Sequence, residues 1–448
     1  MSRPLLPAPC SRLTGADSMR ESFVARRVFP VTLLLTLAAL IEARAGDWPT
    51  FRGIGRTAVS SETGLLQQWP SEGPPLVCDL HGAGRGYSSL AVVGGRIYTL
   101  GDGPSEVDDE DEYLLCFDAQ SGKRLWATKT GPAWNSGRDP NWKSSRSTPT
   151  IDGDLLYVIT PHGVLVCCET ASGREKWRKD LMKDFGGVKA DGWGYSESVL
   201  IDGGLALCTP GGEKSTMVAL DKTTGDLKWS AVRPGDRGAG HASIVVSDIV
   251  GTRVYVQSTG SGPIGVRAGD GQLLWQYAID RTTAVIPTPI VRGDLVFFTA
   301  GYGRGGALFR QVAGHSGEVT IEEVYSLKPA LGNKHGGVVL VGDYLYGDSE
   351  DRGNPWCADF MTGEIKWKKR GSGQGSAAIA AADGRLYLHY ADGTMVLARA
   401  SPNEYAEVGS FKVPGSGERP SWAHPVIANG KLYVREQDRI LCYDIRAK

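Results

Sequence analysis

The sequence predicts an all-β protein, an eight-bladed β-propeller of four-stranded antiparallel blades in which an N-terminal strand closes the last blade. Three observations lead to this prediction. A short motif containing glycine and tryptophan recurs along the chain, a hairpin motif precedes its copies, and glycine accounts for 60 of the 448 residues. Glycine at nearly twice its usual share of about 7% indicates many tight turns. Internal repeats of this length are typical of propellers and solenoids.

The shorter motif consists of an acidic residue, two residues, Ser or Thr followed by Gly, three residues and Trp. It reads DAQSGKRLW, ETASGREKW, DKTTGDLKW and DFMTGEIKW, with a looser RAGDGQLLW. When the degenerate copy AGHSGEVTI at Gly317 is included, successive motif glycines are 46 to 52 residues apart. A large ring at a fixed offset from a turn is typical of packing between blades. We therefore interpret the motif tryptophans as structural residues that dock neighbouring blades. They are Trp126, Trp177, Trp229, Trp275 and Trp367.

The hairpin motif consists of a small polar cluster, a short strand, a turn with Asp-Gly or Gly-Asp and a second strand, as in STPTIDGDLLYVIT. Such dipeptides supply the positive φ that two-residue hairpin turns need. Together with the tryptophan motif, each repeat contains three or four strands, which is the content of one propeller blade. The hairpin motif begins eight times, near Ser88, Ser147, Ser196, Ala242, Pro287, Gly336, Ser376 and Ala423.

The eighth repeat ends without a tryptophan motif, so its outer strand is expected from the other end of the chain. Val77 lies four residues after Gly73, which is the offset between glycine and tryptophan in the motif. We predict that the segment 76–80 completes the last blade and removes the free sheet edges. The predicted organisation is a lead-in segment at 46–75 followed by the propeller at 76–448.

Residues 1–45 have the order of a secretory signal peptide. The basic pair Arg26-Arg27 precedes an apolar stretch, and Ala43-Arg44-Ala45 provides a cleavage site of the A-x-A type. Because signal peptides usually span about 15–30 residues, the natural start is expected at Met19. The arginine pair fits either a Sec signal or a twin-arginine signal. We expect an exported protein, periplasmic or secreted after cleavage near Ala45, with no transmembrane span in the mature chain.

The charge balance argues against one class of partner. With 49 basic and 50 acidic residues the formal net charge is −1, so no strong field attracts nucleic acid or an anionic membrane surface. The shares of apolar residues (41%) and charged residues (22%) are those of a globular chain, which excludes disorder. We expect a monomer that does not bind nucleic acid.

The repeats resemble those of a known family. The unit LYV…LVCCETASGREKW is similar to the PQQ-enzyme-type repeat, the tryptophan-docking motif shared by quinoprotein alcohol dehydrogenases and by the BamB-like propeller subunit of the outer-membrane barrel-assembly machinery. The strings DWPTFRG, GWGYSES and HGGVVLVGDYLYG also resemble exported propellers with PQQ-binding-like repeats. The resemblance covers about 87–448 and the closing strand. It implies the propeller fold, and for function either a binding subunit or a dehydrogenase.

The resemblance to the dehydrogenases implies PQQ in the central channel with calcium, an aspartate base and a vicinal disulfide. The chain has adjacent Cys167 and Cys168, but they lie on a strand, where alternate side chains point to opposite faces. Cys116, Cys357 and Cys442 share the repeat position of Cys167, which indicates buried packing residues. We expect mostly buried thiols. No zinc spacing is present, the acidic run 108–112 is expected to be a solvated loop, and no metal site is predicted.

A ligand site is expected on the funnel face, because the first strand of every propeller blade begins at one mouth of the central channel. Residues at the heads of the hairpin motifs converge there, and the long connections 127–145 and 178–194 open on the same face. Aromatic, basic and histidine side chains at these positions predict a binding surface. Its candidate residues are Trp134, Trp142, Arg146, Trp193, Tyr195, Glu197, His241, His335, Trp422 and His424.

Two functions are consistent with the sequence. The first is a non-catalytic exported module that binds a protein, peptide or glycan through the funnel face. The alternative is a dehydrogenase of alcohols or sugars that depends on PQQ and calcium, with Arg146 and Glu197 as the beginning of a cofactor site. In a plainer reading the funnel aromatics only plug the channel mouth. No catalytic residue is assigned, because a fold does not determine a function.

Overall fold

The computed structural model describes residues 46–103, 111–135, 143–280 and 282–447. They form eight antiparallel sheets of four strands each, which confirms the predicted eight-bladed propeller. The predicted signal peptide at 1–45 lies outside the described residues. Within the described ranges, no helix has the length and apolar character that a membrane span requires.

The blades follow one another along the chain. Strand β1 (Leu76–Leu80) comes first. Blade 1 contains β2 (Ala91–Val93), β3 (Arg96–Asp102), β4 (Asp111–Asp118) and β5 (Arg124–Pro132), and blade 2 contains β6 (Thr150–Asp152), β7 (Leu155–Ile159), β8 (Val164–Glu169) and β9 (Glu175–Asp180). Blade 3 contains β10 (Leu200–Asp202), β11 (Leu205–Cys208), β12 (Met217–Asp221) and β13 (Leu227–Ala231), and blade 4 contains β14 (Val245–Ile249), β15 (Thr252–Thr259), β16 (Gly262–Arg267) and β17 (Leu273–Gln276).

Blades 5 to 8 repeat the pattern. Blade 5 contains β18 (Ile290–Arg292), β19 (Leu295–Ala300), β20 (Gly305–Ala313) and β21 (Val319–Lys328), and blade 6 contains β22 (Val339–Val341), β23 (Tyr344–Asp348), β24 (Pro355–Asp359) and β25 (Ile365–Lys368). Blade 7 contains β26 (Ala377–Ala382), β27 (Arg385–Tyr390), β28 (Thr394–Arg399) and β29 (Glu407–Lys412), and blade 8 contains β30 (Val426–Ala428), β31 (Lys431–Glu436) and β32 (Arg439–Asp444). Short helical turns lie at Ile54–Arg56, Leu181–Phe185 (α1), His315–Gly317, Pro329–Leu331 and Glu350–Arg352.

Strand β1 is the outer strand of blade 8, as predicted, and pairs antiparallel with β32. The register differs by one residue from the position expected of Val77. A bulge at Val77 leaves it about half exposed and places Cys78 opposite Cys442, just as Trp177 stands opposite Cys167 in blade 2. Cys78 therefore occupies the position that tryptophan holds in other blades.

The hydrophobic core lies mainly between the blades. Each pair of neighbouring blades shares a cluster of buried side chains, and the cluster between blades 8 and 1 joins the two ends of the chain through Leu80, Val92 and Ile440. Middle strands such as β7 and β8 are buried along almost their whole length, because both of their faces contact a neighbouring blade. Their sequences are correspondingly almost continuously apolar.

The five motif tryptophans lie at the boundaries between blades. The indole N–H of Trp126, Trp177, Trp229 and Trp367 donates to a backbone carbonyl of the following blade at 2.8–3.2 Å. Trp275 instead donates to the Gln311 side chain at 3.2 Å, since the next blade has a short helical turn where the motif would be. The rings of Trp126, Trp177 and Trp229 cover the motif glycine of the next blade.

The first strands of neighbouring blades contact one another around the central channel. The lead-in segment crosses this channel. Residues only a few positions apart in this segment form hydrogen bonds with blades on opposite sides of the ring, either with a first strand or with the residues just before it. Its contacts are Trp48 with Val92 in blade 1, Thr50 with Thr150 in blade 2, Arg56 with Ser198 and Val199 in blade 3, Arg52 with Val338 in blade 6, and Val59 with Ala381 in blade 7. We call residues 48–59 the channel segment.

Candidate functional site

An open pocket lies at one mouth of the channel, and its volume is about 1070 Å³ including the solvent at its opening. We call it the funnel pocket. Most of its walls come from residues two to four positions before the first strand of a blade. The channel segment contributes Phe51 and Arg52, which form the floor of the pocket because the segment crosses the channel beneath them.

Six of the ten candidate residues line the funnel pocket together: Arg146, Trp193, His241, His335, Trp422 and His424. These residues come from the heads of blades 2, 3, 4, 6 and 8, so the expected convergence of strand heads occurs for them. Their use in binding stays a prediction.

Three other candidates lie behind the pocket wall. Trp134 packs edge-on against His162, with ring centroids 5.0 Å apart. The hydroxyl of Tyr195 donates to the carbonyl of Pro210 at 2.7 Å, and the residue is buried. Glu197 is buried and accepts from Thr209 and from Gln257. Trp142 lies outside the described residues.

Aromatic rings form a connected wall on one side of the pocket. The ring centroids of Tyr87 and Trp422 are 4.8 Å apart, and those of Trp422 and His335 are also 4.8 Å apart. Below them Phe51 meets His424 edge-on at 4.9 Å. Such a wall can hold an apolar or aromatic group of a ligand.

On the opposite wall the lining residues His241 and Ser196 are hydrogen-bonded to each other, and Asp191, which does not line the pocket, is bonded to His241. Oδ2 of Asp191 lies 2.8 Å from Nε2 of His241, and Nδ1 of His241 lies 2.5 Å from the hydroxyl oxygen of Ser196. Because Nε2 donates to the carboxylate, Nδ1 accepts from Ser196. Burial lowers the pKa of His241 more than Asp191 raises it, so the ring is neutral at pH 7. The imidazole is thus held in one orientation by both of its nitrogens.

The two remaining pocket histidines are also neutral. Burial lowers the pKa of His335 and of His424 to about 3. Nε2 of His424 donates to the carbonyl of His335 at 3.3 Å, which leaves Nδ1 as an acceptor. Within the described residues, Nδ1 of His424 and Nε2 of His335 have no hydrogen-bond partner.

Positive charge is concentrated around the pocket. Arg146 lies over the Tyr87 ring at 5.3 Å, and Lys334 pairs with Asp351 at 2.6 Å while lying 5.2 Å from the Tyr302 ring. Of the lining residues that the structure describes, none is Asp or Glu. The lining thus contains three basic side chains, Arg52, Arg146 and Lys334, of which Lys334 is paired with Asp351.

The described residues do not fit a PQQ and calcium site. They contain no group of three or more His, Cys, Asp or Glu side chains placed to hold a metal ion. Glu197 is engaged with Thr209 and Gln257 behind the wall. Cys167 and Cys168 are unbonded, buried and part of two different clusters on opposite faces of blade 2, away from the pocket lining. The residues present thus supply neither the calcium ligands nor the vicinal disulfide that the resemblance implies.

Some lining residues lie outside the binding surface that the sequence predicts. Phe51 and Arg52 belong to the string DWPTFRG, which was identified only as part of the family resemblance. Ser196, Tyr302 and Lys334 also line the pocket. Lys334 could have been predicted, because it directly precedes the predicted site residue His335. Nothing in the repeats, by contrast, indicates the path of the lead-in segment.

Comparison with known proteins identifies the family. A family model described as outer membrane protein assembly factor BamB matches residues 110–369, which is more than half of the chain. The chain belongs to this family. A curated relative, the outer membrane protein assembly factor BamB of Shewanella oneidensis, is 25% identical over 246 residues. That match covers 50% of this chain and 57% of the relative, so it spans little more than half of the relative's length.

The chain shares its fold with solved structures of a member of this family and of dehydrogenases. BamB from Moraxella catarrhalis superposes with a TM-score of 0.57 at 14% identity, covering 83% of this chain and 98% of that one. A europium-containing methanol dehydrogenase gives 0.64 at 12% identity, covering 87% and 89%. The quinohemoprotein alcohol dehydrogenase of Comamonas testosteroni gives 0.60 at 12% identity, covering 91% and 81%. At these identities the likeness shows the fold alone.

Proposed function

We propose that this protein is an exported, non-catalytic binding and assembly module that holds a protein, peptide or glycan partner on its funnel face. Its membership of a family described by an outer membrane assembly factor supports a role in protein assembly. A periplasmic location follows from the predicted signal peptide, and we expect a monomer. Among the three partner classes, the family favours a protein or peptide.

The observation that carries this proposal is the funnel pocket itself. Residues from seven of the eight blades converge on it, and the channel segment crosses the channel beneath it. The wall offers aromatic rings and basic groups, which are the side chains that commonly anchor partners at interfaces. The carboxylate of Asp191 is engaged with the lining residue His241, and that of Asp351 is paired with the lining residue Lys334.

Site-specific photo-crosslinking in the exporting host tests the funnel face. A photo-reactive amino acid at Tyr302 lies in the pocket wall, whereas one at Val250 lies on the β14–β15 hairpin at the other end of the channel and is 88% exposed. We expect a partner adduct from position 302 and none from position 250. Substituting Arg146→Ala and Trp193→Ala together should remove the adduct.

Two results would contradict the proposal. Adducts from position 250 alone would place the partner on the opposite face. Loss of thermal stability in the double variant without any change in the adduct would favour the reading in which these side chains only plug the channel mouth. Circular dichroism of the double variant therefore accompanies the crosslinking.

A further inference from the structure

Ser196, His241 and Asp191 are joined in series by two hydrogen bonds at the wall of the funnel pocket. Oγ of Ser196 lies 2.5 Å from Nδ1 of His241, and Nε2 of His241 lies 2.8 Å from Oδ2 of Asp191. Ser196 and His241 line the pocket. The order of hydroxyl, imidazole and carboxylate is that of an activated nucleophile, in which a base withdraws the hydroxyl proton and a third group orients the base.

The protonation states of the three groups suit this role. The imidazole of His241 is neutral at pH 7, and the carboxylate of Asp191 takes the N–H at Nε2. The lone pair of Nδ1 is therefore directed to the hydroxyl of Ser196. In most Ser-His-Asp sites the two ring nitrogens have exchanged roles. The chemistry is the same, because a neutral imidazole has one donor and one acceptor in either sense.

Backbone hydrogen bonds hold the polar groups in place. The N–H of Ala190 donates to the carbonyl of Ala239 at 3.1 Å, which ties the loop before blade 3 to the segment that leads into His241. The N–H of Trp193 donates to Oδ1 of Asp191 at 3.1 Å, so both carboxylate oxygens are engaged. A nucleophile and its base that are fixed in this way need little reorganisation before they react.

Ser196 is accessible to a ligand in the pocket. The residue is partly exposed and lines the pocket, whereas the side chain of His241 is only 7% exposed, which limits the access of water to the base. Across the pocket lie the rings of Tyr87 and Trp422, with centroids 4.8 Å apart. An acyl group that reaches Ser196 therefore enters between the hydroxyl and an aromatic wall, which favours an acyl group that carries an aromatic ring.

We propose that Ser196 is a nucleophilic acyl acceptor that takes an aromatic acyl group from an activated ester. Oγ of Ser196 forms a bond to the acyl carbon while the bond from that carbon to the leaving oxygen breaks. The hydroxyl proton passes to Nδ1 of His241 and then to the leaving oxygen, so the products are a serine ester and a free alcohol or phenol. The step modifies the protein once and is not turnover. It goes beyond the proposed function, because holding a partner needs no bond to Ser196.

Incubation of the purified protein with p-nitrophenyl benzoate tests the proposal. Absorbance follows the released p-nitrophenolate, and mass spectrometry of the protein and its peptides locates the benzoyl group. We expect a benzoyl group on the peptide that contains Ser196. Ser196→Ala should abolish this labelling, and Ser196→Cys, which keeps a nucleophile of similar size, should restore it. Trp422→Ala should slow labelling by the benzoate more than by p-nitrophenyl acetate, because an acetyl group has no ring to pack on the wall.

Two variants compare Ser196 with an ordinary serine. His241→Gln retains groups that can bond to Ser196 and Asp191 but removes the base, and it should slow labelling at least about 100-fold, since a general base contributes about 10²–10⁴-fold. Ser121→Ala is the matched control. Ser121 is exposed, and its hydroxyl donates to the carboxylate of Asp118 at 2.7 Å rather than to an imidazole. Its removal should leave the rate of labelling unchanged.

Asp191→Asn separates orientation of the base from stability of the fold. An asparagine amide that donates to Nε2 moves the ring proton to Nδ1, so His241 no longer accepts from Ser196, and labelling should slow at least about tenfold. Leu80→Ala, which removes buried contacts between blades 8 and 1, should lower the melting temperature and keep the rate. Should Asp191→Asn fail to fold, the peptide map of the unaltered protein and the His241→Gln variant still decide.

The failures of the two proposals differ. Labelling at other residues with Ser196 unmodified, or a rate that His241→Gln leaves unchanged, overturns the nucleophile while funnel binding stands. Equal slowing of benzoate and acetate labelling by Trp422→Ala contradicts the aromatic acyl class. Sustained release of benzoate that depends on Ser196 supports the nucleophile and overturns the non-catalytic part of the proposed function. Absence of crosslinks from position 302, with Ser196 acylated, overturns the proposed function alone.

Discussion

The carboxylate of Asp191 lies 2.8 Å from Nε2 of His241, and both side chains are more than nine-tenths buried. Burial by itself would raise the pKa of Asp191, but His241 and Lys189 outweigh it and hold the pKa below the usual range. The carboxylate is therefore ionised at neutral pH, and it fixes the ring that faces the funnel pocket. Lys189 in turn donates to the carbonyls of Ala239 and Gly240.

Asp191→Asn should destabilise the protein in a pH-dependent manner. At pH 7 we expect a loss of about 2–3 kcal/mol in the free energy of unfolding, because the substitution removes the charge that His241 and Lys189 stabilise. A lowered folded-state pKa contributes stability above the ordinary value of about 4, and this contribution is lost as the pH falls through the folded pKa. The difference from the wild type should therefore shrink at pH 3.

Urea unfolding at pH 7 and pH 3 measures this effect. Asp248→Asn is the control, since Asp248 pairs with Arg253 but is 63% exposed, and its loss should cost less than about 0.5 kcal/mol at either pH. An equal cost of Asp191→Asn at both pH values would contradict the assignment of the charge to Asp191.

The docking of a tryptophan on a glycine can be tested within one blade. Gly225 has φ of +77°, and a Cβ there would lie 2.8 Å from the ring of Trp177. Gly203 in the same blade has φ of +57° with no atom within 4 Å of such a Cβ. Gly203→Ala should cost about 1 kcal/mol from the backbone alone, and Gly225→Ala at least about 2 kcal/mol more because the ring must move. Thermal unfolding of the two variants compares them, and equal costs would show that the ring contact is unimportant.

The fold could be predicted from the sequence because most blades repeat the same two short sequence motifs. Turns that contain glycine determine the hairpins. Because the ring of Trp177 packs on Gly225 of the next blade, the recurrence of glycine and tryptophan at a fixed spacing identifies each blade in the sequence. The bulge at Val77 could not be foreseen, since a one-residue bulge leaves no signal in a single copy.

The site was predictable only in part. Residues at the heads of the first strands converge by topology, which placed His241 and Trp422 correctly at the mouth. Neighbouring residues there have different surroundings, however, so Ser196 lines the pocket while Tyr195 and Glu197 lie behind it. Arg52 could not be placed, because its segment is not a repeat and its position depends on long-range bonds to Val338.

Closure of the ring by β1 should control the cooperativity of unfolding. Deletion of residues 47–80 removes both the closing strand and the channel segment, and we expect the remaining chain to lose its cooperative thermal transition. Leu80→Ala should cost about 2–4 kcal/mol because Leu80 is buried between blades 8 and 1. Val77→Ala, at a residue 49% exposed, should cost less than about 0.5 kcal/mol. An unchanged melting transition of the deletion variant would refute closure by this strand.

Cys78 and Cys442 should form a disulfide when the protein is oxidised. They are direct partners in the antiparallel register of β1 and β32 and face the same hydrophobic cluster. Opposite residues in such a pair have Cα atoms about 4.5–5.5 Å apart, which lies within the range that a disulfide spans. Both thiols are unbonded in the structure, and Cys78 is partly exposed, so an external disulfide can reach it.

Oxidised glutathione provides the test: the two thiols lose two electrons and two protons, and the glutathione disulfide is reduced to two thiols. We expect a Cys78–Cys442 cross-linked peptide in a non-reducing digest and a gain of about 2–4 kcal/mol in the free energy of unfolding, because the bond ties both ends of the ring together in the unfolded chain. Cys78→Ser should abolish the gain. Cys167→Ser should retain it, since Cys167 is fully buried and stands opposite Trp177 instead of a second thiol. If both Cys78 and Cys442 can still be alkylated after oxidation and unfolding, the pairing is wrong.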